Sequence, residues 1–145
     1  MGFQFAETMQ GTVEWDREPG KKQPLRFEVR AHADSLRDHL TTGRAELRGT
    51  IHVPGLADGV DAEGTIVIRP IGQRIIRYEL SFVGDDGKAY ELVGQKDIRW
   101  LAPLETFTTL PAEILDEDHR RIATCLLRFD LRRDGWKFLR SWRPA

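Results

Sequence analysis

The feature that most constrains the fold is a period of two in the distribution of apolar residues. In the first segment, the apolar residues Phe3, Phe5, Met9, Val13 and Trp15 all occupy odd positions, and polar residues fall between them. Residues 25–31 and 45–53 repeat the pattern. Such strands have one buried and one solvated face, which is typical of antiparallel sheets, whereas a parallel sheet covered on both faces gives continuous apolar runs. The sequence therefore predicts an antiparallel, all-β fold.

The number of strands favours a closed sheet. Five further segments are predicted to be strands: 63–71, 74–83, 89–99, 104–114 and 121–132. Asp58-Gly59 marks the connection before the first of these, and Gly84-Asp85-Asp86-Gly87 supplies the residues of a tight hairpin. An open sheet of eight strands would expose its edges, and closure removes them. We expect one domain over residues 1–145, an up-and-down barrel like those of lipocalins and streptavidin, with a two-sheet β-sandwich as the alternative.

Two segments depart from the strand pattern. Asp34 is a suitable N-cap and Gly43 a suitable C-terminal stop, so residues 35–41 are predicted to form a short helix that caps one end of the barrel. The segment 136–142 has two interpretations. Asp134-Gly135 can be a hairpin turn that leads into a ninth strand, or Asp134 can cap a terminal helix. Periodicity does not separate them.

Composition limits the classes of function. The net charge of −1 gives no electrostatic case for binding nucleic acid. No apolar run approaches the roughly 20 residues of a membrane helix, no signal peptide is recognisable, and a single cysteine suits a reducing compartment, so we expect a cytoplasmic protein. That residue, Cys125, shares the parity of its apolar neighbours and is predicted to be a buried thiol.

The charges are unevenly distributed along the chain. Residues 1–118 contain 14 basic and 21 acidic side chains, whereas residues 119–145 contain 8 basic and 2 acidic ones. The basic C-terminal segment is predicted to lie against the acidic remainder. The alternative is a docking face for an acidic partner or an anionic ligand.

Sequence motifs for common catalytic chemistry are absent. The chain has no dinucleotide-binding glycine motif, no phosphate-binding P-loop, no zinc-protease motif and no nucleophile elbow, so we expect no cofactor. Asp116-Glu117-Asp118 could offer oxygen atoms to a cation, but a solvated hairpin loop is the favoured interpretation. No metal site is predicted.

Two charged residues occupy positions of apolar parity and are the strongest site candidates. Glu7 falls between Phe5 and Met9, and Lys96 falls between Gly94 and Ile98. The first and sixth strands of an up-and-down barrel run in opposite directions, so the two residues are expected at the same height inside it. Since a buried unpaired charge costs several kcal/mol, we predict that they pair, or that they anchor a ligand. The candidate ligand-binding residues are Glu7, Lys96, Tyr78, Tyr90, Thr106 and Thr108.

Several short motifs resemble a known β-rich segment. They are Phe5-Ala6-Glu7-Thr8-Met9-Gln10-Gly11, Tyr78-x-Leu80-x-Phe82, Asp86-Gly87, Tyr90-x-Leu92-x-Gly94-x-Lys96-Asp97, Thr108-Thr109-Leu110 and Ile122-Ala123-Thr124. Together they resemble the accessory segment of bacterial flavin-dependent oxidoreductases of the glucose-methanol-choline type, in the cholesterol-oxidase-like branch. Ile76, where methionine is expected, and the tail after residue 132 depart from that pattern. The resemblance implies an accessory module without the flavin domain, working beside a lipid- or sterol-handling enzyme.

Three functions are consistent with these features. The first is a non-catalytic barrel that binds a small, mostly apolar molecule, such as a lipid or sterol, or that supports a partner oxidoreductase. The second is a small cofactor-free isomerase or hydrolase in which Glu7 is the general base and Lys96 tunes its pKa. The third is a filled barrel that acts as a protein-interaction module.

Overall fold

The protein is all-β in the residues that the structure, a computed structural model, describes: 3–33, 44–69, 75–97, 109–128 and 143–144. For residues 3–7, 33, 68–69, 96–97 and 143–144 only the backbone is described. The strands are β1 (Phe3–Trp15), β2 (Lys22–Ala33), β3 (Arg44–Val53), β4 (Ala57–Arg69), β5 (Ile75–Val83), β6 (Ala89–Asp97), β7 (Thr109–Leu115), β8 (Arg121–Arg128) and β9 (Arg143–Pro144).

Strands β1 to β8 form a closed antiparallel barrel. Each strand pairs with its neighbour in sequence, and β1 pairs with both β2 and β8. A hydrogen-bonded row that leaves β1 at Trp15 crosses the other strands and returns to β1 at Phe5, an offset of ten residues between Trp15 and Phe5. It passes through Ala123, Ile114, Leu92, Leu80, Gly64, Leu47 and Ala31. This offset is the shear that a closed, tilted barrel requires. The predicted barrel is confirmed, and the two-sheet sandwich is wrong.

The four described hairpin turns all lie at one end of the barrel, which we call the turn end. They are residues 16–21, 54–56, 84–88 and 116–120. The hairpin predicted from Gly84-Asp85-Asp86-Gly87 is confirmed, and Gly87 has a φ of 80°. The opposite end, where β1 begins and β6 ends, we call the far end. No helix in the described ranges is long and apolar enough to cross a membrane.

The barrel interior is filled by apolar side chains. The alternating residues predicted to face inward are buried, as in β5, where Ile76, Tyr78, Leu80 and Phe82 are each no more than 6% exposed. When the ten-residue shear is divided equally among the eight strands, inward residues of different strands can be assigned to layers at the same height along the barrel axis. The two layers nearest the turn end contain Val13, Leu25, Val53, Phe82 and Ile114, and then Phe27, Ile51, Leu80 and Leu92, all buried.

Three glycines lie where the backbone of an adjacent strand approaches closely. A Cβ atom on Gly11 or Gly49 would overlap a backbone carbonyl oxygen of the adjacent strand, and one on Gly64 would overlap the carbonyl oxygen of Glu79. The neighbouring backbone thus occupies the space that a side chain would need. Glycine inside a strand commonly marks such a close approach or bend.

Some predicted boundaries differ from the structure. Strand β4 begins at Ala57, because the preceding turn is made by residues 54–56, with the Leu56 N–H donating to the Val53 carbonyl. Asp58 and Gly59 therefore lie inside β4, beside a register irregularity at Ile51 and His52. The predicted helix at 35–41 and the two interpretations of 136–142 lie outside the described residues. Strand β9 follows them and pairs with Phe3 and Gln4 of β1.

Cys125 is predicted to resist thiol reagents in the folded protein. Its side chain lies in the barrel, and burial raises the pKa of the thiol to about 12. Since the thiolate is the reactive form, Ellman's reagent should label the native protein slowly at pH 8 and rapidly in denaturant. Rapid labelling under native conditions would contradict the burial of this residue.

Candidate functional site

The strand register relates Glu7 and Lys96 through the shear of the barrel. The row that contains Glu7 passes through Val29, Gly49, Ala62 and Phe82 and reaches β6 at Tyr90. Around the eight strands, this row shifts by ten residues toward the turn end. A residue at the same height as Glu7 therefore lies farther from the turn end than the row does, by a little over one residue for each strand crossed. Five strand crossings separate β1 from β6, so the correction on β6 is about six residues. Since β6 runs away from the turn end, the residue level with Glu7 is six positions after Tyr90, which is Lys96. The backbones of Glu7 and Lys96 are level in the barrel.

This level lies toward the far end of the barrel. Strand β1 begins at Phe3, four residues before Glu7, and β6 ends at Asp97, directly after Lys96. Lys96 pairs with Ile76 of β5, and Glu7 pairs with Val29 of β2. The side chains of Glu7 and Lys96 are outside the described part of the chain, so their contact stays a prediction. Thr106 and Thr108 lie outside it altogether.

Tyr78 lies on the strand next to Lys96 and is the candidate that the structure describes best in this region. It is 6% exposed, and its ring centroid is 6.1 Å from that of Phe27 in a tilted arrangement. Its partner across the β5–β6 pair is Gly94, which makes Lys96 its diagonal neighbour. Diagonal neighbours on one face of a sheet are within reach of aromatic and long side chains. Tyr78 thus forms part of the wall next to the level of Glu7 and Lys96.

Tyr90 is separated from that level. It occupies the turn end of β6, six residues before Lys96, which is about 20 Å along an extended strand. Its hydroxyl donates a hydrogen bond of 2.5 Å to Asp86 Oδ2, and its ring stacks on Phe82 with centroids 5.8 Å apart. Asp86 Oδ1 also accepts the backbone N–H of Lys88. The six sequence candidates therefore do not form one compact site.

The hydrogen bond to Asp86 shifts both ionisations of this pair. It is the main cause that raises the pKa of Tyr90 to about 12, followed by burial and by the nearby negative charges. The same bond, together with the Lys88 N–H, lowers the pKa of the exposed Asp86 carboxyl. From the sequence, Asp86 is predicted only to be a residue of the hairpin turn. Its pairing with Tyr90, four residues later in the chain, results from the geometry of the hairpin turn.

Removing the Asp86 carboxylate should lower the pKa of Tyr90 toward its ordinary value of 10. Because the folded pKa is raised, the stability that this bond contributes is present below pH 10 and is lost as the pH rises toward 12. Ultraviolet difference titration of tyrosinate absorbance should show the Tyr90 transition near pH 12 in the parent protein and at lower pH in Asp86→Asn, with Tyr90→Phe, which retains only Tyr78, as the reference. An unchanged Tyr90 transition in Asp86→Asn would contradict this assignment.

The acidic residues at 116–118 form a hairpin turn. Asp116 Oδ1 accepts the backbone N–H groups of Asp118 and Arg120, and His119 takes a positive φ of 61° to close the turn. Among the described residues, no group of three or more His, Cys, Asp or Glu side chains could hold a metal ion.

Comparison with known proteins assigns no family to the chain. No protein-family model matches it, and no curated protein is significantly similar.

Proposed function

We propose that the barrel binds a small, mostly apolar molecule in its far-end half, with Glu7 and Lys96 as the polar anchor. The observation that carries this proposal is the equal height of these two residues in the strand register. A ligand pocket of this class is mostly apolar and contains a few convergent polar groups. The interior of an eight-stranded barrel is either filled by side chains or holds one small ligand.

Two small inward residues lie near the level of Glu7 and Lys96. The turn-end layers contain large residues such as Phe27, Phe82 and Leu92. Toward the far end, inward positions are occupied by the small Ala31 and Ala45 and also by the larger Leu47, Ile66 and Ile76. A ligand at this level would lie beside Ala31 and Ala45, and Tyr78 would line its site.

Filling the far end provides the test. Ala45→Val should abolish binding of an uncharged apolar fluorophore, N-phenyl-1-naphthylamine, and should eliminate any small molecule that co-purifies with the protein. Ala123→Val adds the same two methyl groups at the turn end and serves as the matched control, because both alanines are at most 3% exposed. Mass spectrometry of an organic extract would identify the bound molecule. Equal binding to the parent and both variants would contradict a far-end pocket.

The second candidate function is a filled barrel that acts as a protein-interaction module. Dense packing favours it: ten large apolar side chains, Phe27 and Leu80 among them, are less than 2% exposed. A parent protein that binds no apolar probe and yields no extractable molecule would support this alternative.

A catalytic role would build on the same pocket. Glu7 would act as a general base toward an apolar substrate, and Lys96 would lower its pKa. Turnover of the identified molecule, lost in Glu7→Gln, would distinguish an isomerase or hydrolase from a binding protein. A supporting role beside a cytoplasmic, lipid-handling oxidoreductase rests on the sequence resemblance, and co-purification of such an enzyme would test it.

A further inference from the structure

The outer surface of the barrel carries a groove that the interior site does not use. This outer groove has a volume of about 750 Å³ and runs across β3 to β6 toward the turn at 116–120. Its floor contains the small outward residues Ser81, Val83 and Ala89. Val83 is 56% exposed, which is unusual for an apolar residue in a strand of this barrel, since only Leu126 is similarly exposed among the described large hydrophobic residues.

The rim of the outer groove is strongly acidic. Five carboxylates line it, against one guanidinium, that of Arg48. They belong to Asp61, Glu63, Glu91, Asp116 and Glu117. Asp61, Glu63, Glu91 and Glu117 form no salt bridge in the described part of the chain. Arg48 lies opposite Glu63 in the register of β3 and β4, whereas Glu91 lies opposite Ser81 and Leu115.

The strand register fixes the spacing of two of these carboxylates. Glu63 of β4 pairs with Ser81 of β5, and Ser81 pairs with Glu91 of β6. Two strand spacings separate Glu63 from Glu91, which is about 10 Å. The small Ser81 lies between them. This arrangement suits two cationic side chains separated by a short stretch of extended chain.

A second depression extends the outer groove over the turn end. It has a volume of about 410 Å³ and shares Tyr90, Asp116 and Glu117 with the first. Asp16 and Asp118 add acidic groups there, while Lys88 and Arg17 add basic ones. Two adjoining depressions form a trough, which is longer than one compact small molecule and suits an extended segment.

We propose that the outer groove docks an extended segment of a partner protein whose groove-facing side chains, at every second residue, are basic, small apolar and basic. The basic side chains contact Glu63 and Glu91, and the apolar side chain packs on Val83. Strands β1 to β8 have no free sheet edge, so the segment binds through its side chains and not by strand addition. Charge complementarity of this kind mainly provides steering and specificity. The proposal is independent of the interior pocket.

Fluorescence anisotropy with a labelled Gly-Arg-Ser-Val-Ser-Arg-Gly peptide, in which Arg, Val and Arg share one face of the extended chain, tests the proposal. The peptide should bind the full chain at low salt, and Glu63→Gln with Glu91→Gln should weaken binding by about tenfold. The matched control is Glu46→Gln with Glu113→Gln, which removes two exposed carboxylates outside the groove and should leave binding unchanged. Val83→Ser should also weaken binding without changing the net charge.

Several binding results would overturn the proposal. They are no binding of the basic peptide, equal binding of its Glu-substituted counterpart, equal losses in the groove and control variants, and complete competition by spermidine at equal charge concentration. The last result would assign the groove to a small polycation. Sedimentation that shows self-association lost in the groove variant would assign it to a second copy of the chain and would also overturn the proposal.

Discussion

Replacing Glu7 with glutamine is expected to lower the free energy of unfolding by about 3–5 kcal/mol, because it leaves the charge of Lys96 unpaired in a low-dielectric interior. Stability of a single domain is only about 5–15 kcal/mol, so this loss would be a large fraction of the total. Urea denaturation followed by tryptophan fluorescence measures it. The expectation depends on the level register of the two residues and on their predicted contact.

The double variant distinguishes a buried pair from two independent charges. Glu7→Gln combined with Lys96→Met should recover much of the loss, because an apolar replacement of a buried ion pair is often close to neutral. The control is Glu46→Gln, an exposed carboxylate on β3, which should change stability by less than about 0.5 kcal/mol. Additive effects with each single change below about 1 kcal/mol would show that the residues do not meet. A stable double variant that no longer binds ligand would identify the pair as the anchor.

Replacing Gly64 with alanine is expected to destabilise the barrel by more than about 3 kcal/mol, or to prevent folding, because the added methyl group overlaps a backbone atom of β5. The overlap is with the carbonyl oxygen of Glu79. This oxygen belongs to the strand ladder, so it cannot move without breaking pairing between β4 and β5.

Gly55 provides the control for the Gly64 substitution. It has a φ of 77°, and no atom lies within 4 Å of the position that a methyl group would take there, so Gly55→Ala suffers only backbone strain of about 1–2 kcal/mol. Thermal unfolding monitored by circular dichroism compares the two variants. Equal losses would indicate that backbone conformation, and not the close approach of the strands, explains the need for glycine at position 64.

The fold was predictable from sequence because the alternation of apolar and polar residues within each strand shows which of its faces is buried. In β5 the alternation of Ile76, Tyr78, Leu80 and Phe82 with polar residues matches their burial directly. An alternation with a period of two can be recognised in one strand without knowing which strand it pairs with. The same reasoning identified Glu7 and Lys96 as exceptions to the pattern, and a buried face makes such exceptions conspicuous.

The shear of the barrel, the close approach of backbone at Gly64 and the hydrogen bond between Asp86 and Tyr90 were not predictable from the alternation of apolar residues. Each depends on how two strands pair. The alternation of residues along one strand shows which face is buried, but it does not show which residues of two strands lie opposite each other. Gly64 looks in the sequence like a weak strand residue, yet its role is set by Glu79 on β5. Asp86 is a residue type typical of turns, and its bond to Tyr90 follows only from the hairpin geometry.

Closure of the barrel also has a consequence for the order of folding. Hairpins between consecutive strands are local, but the β1–β8 pairing joins residues more than a hundred positions apart, such as Gln10 and Arg128. The entropy of closing so long a loop is recovered only when the intervening strands are already in place. The seam between β1 and β8 should therefore form last and slowest, and until it forms both strands present unpaired backbone groups to other chains. For this protein the step most exposed to misassembly is the meeting of its two most distant strands.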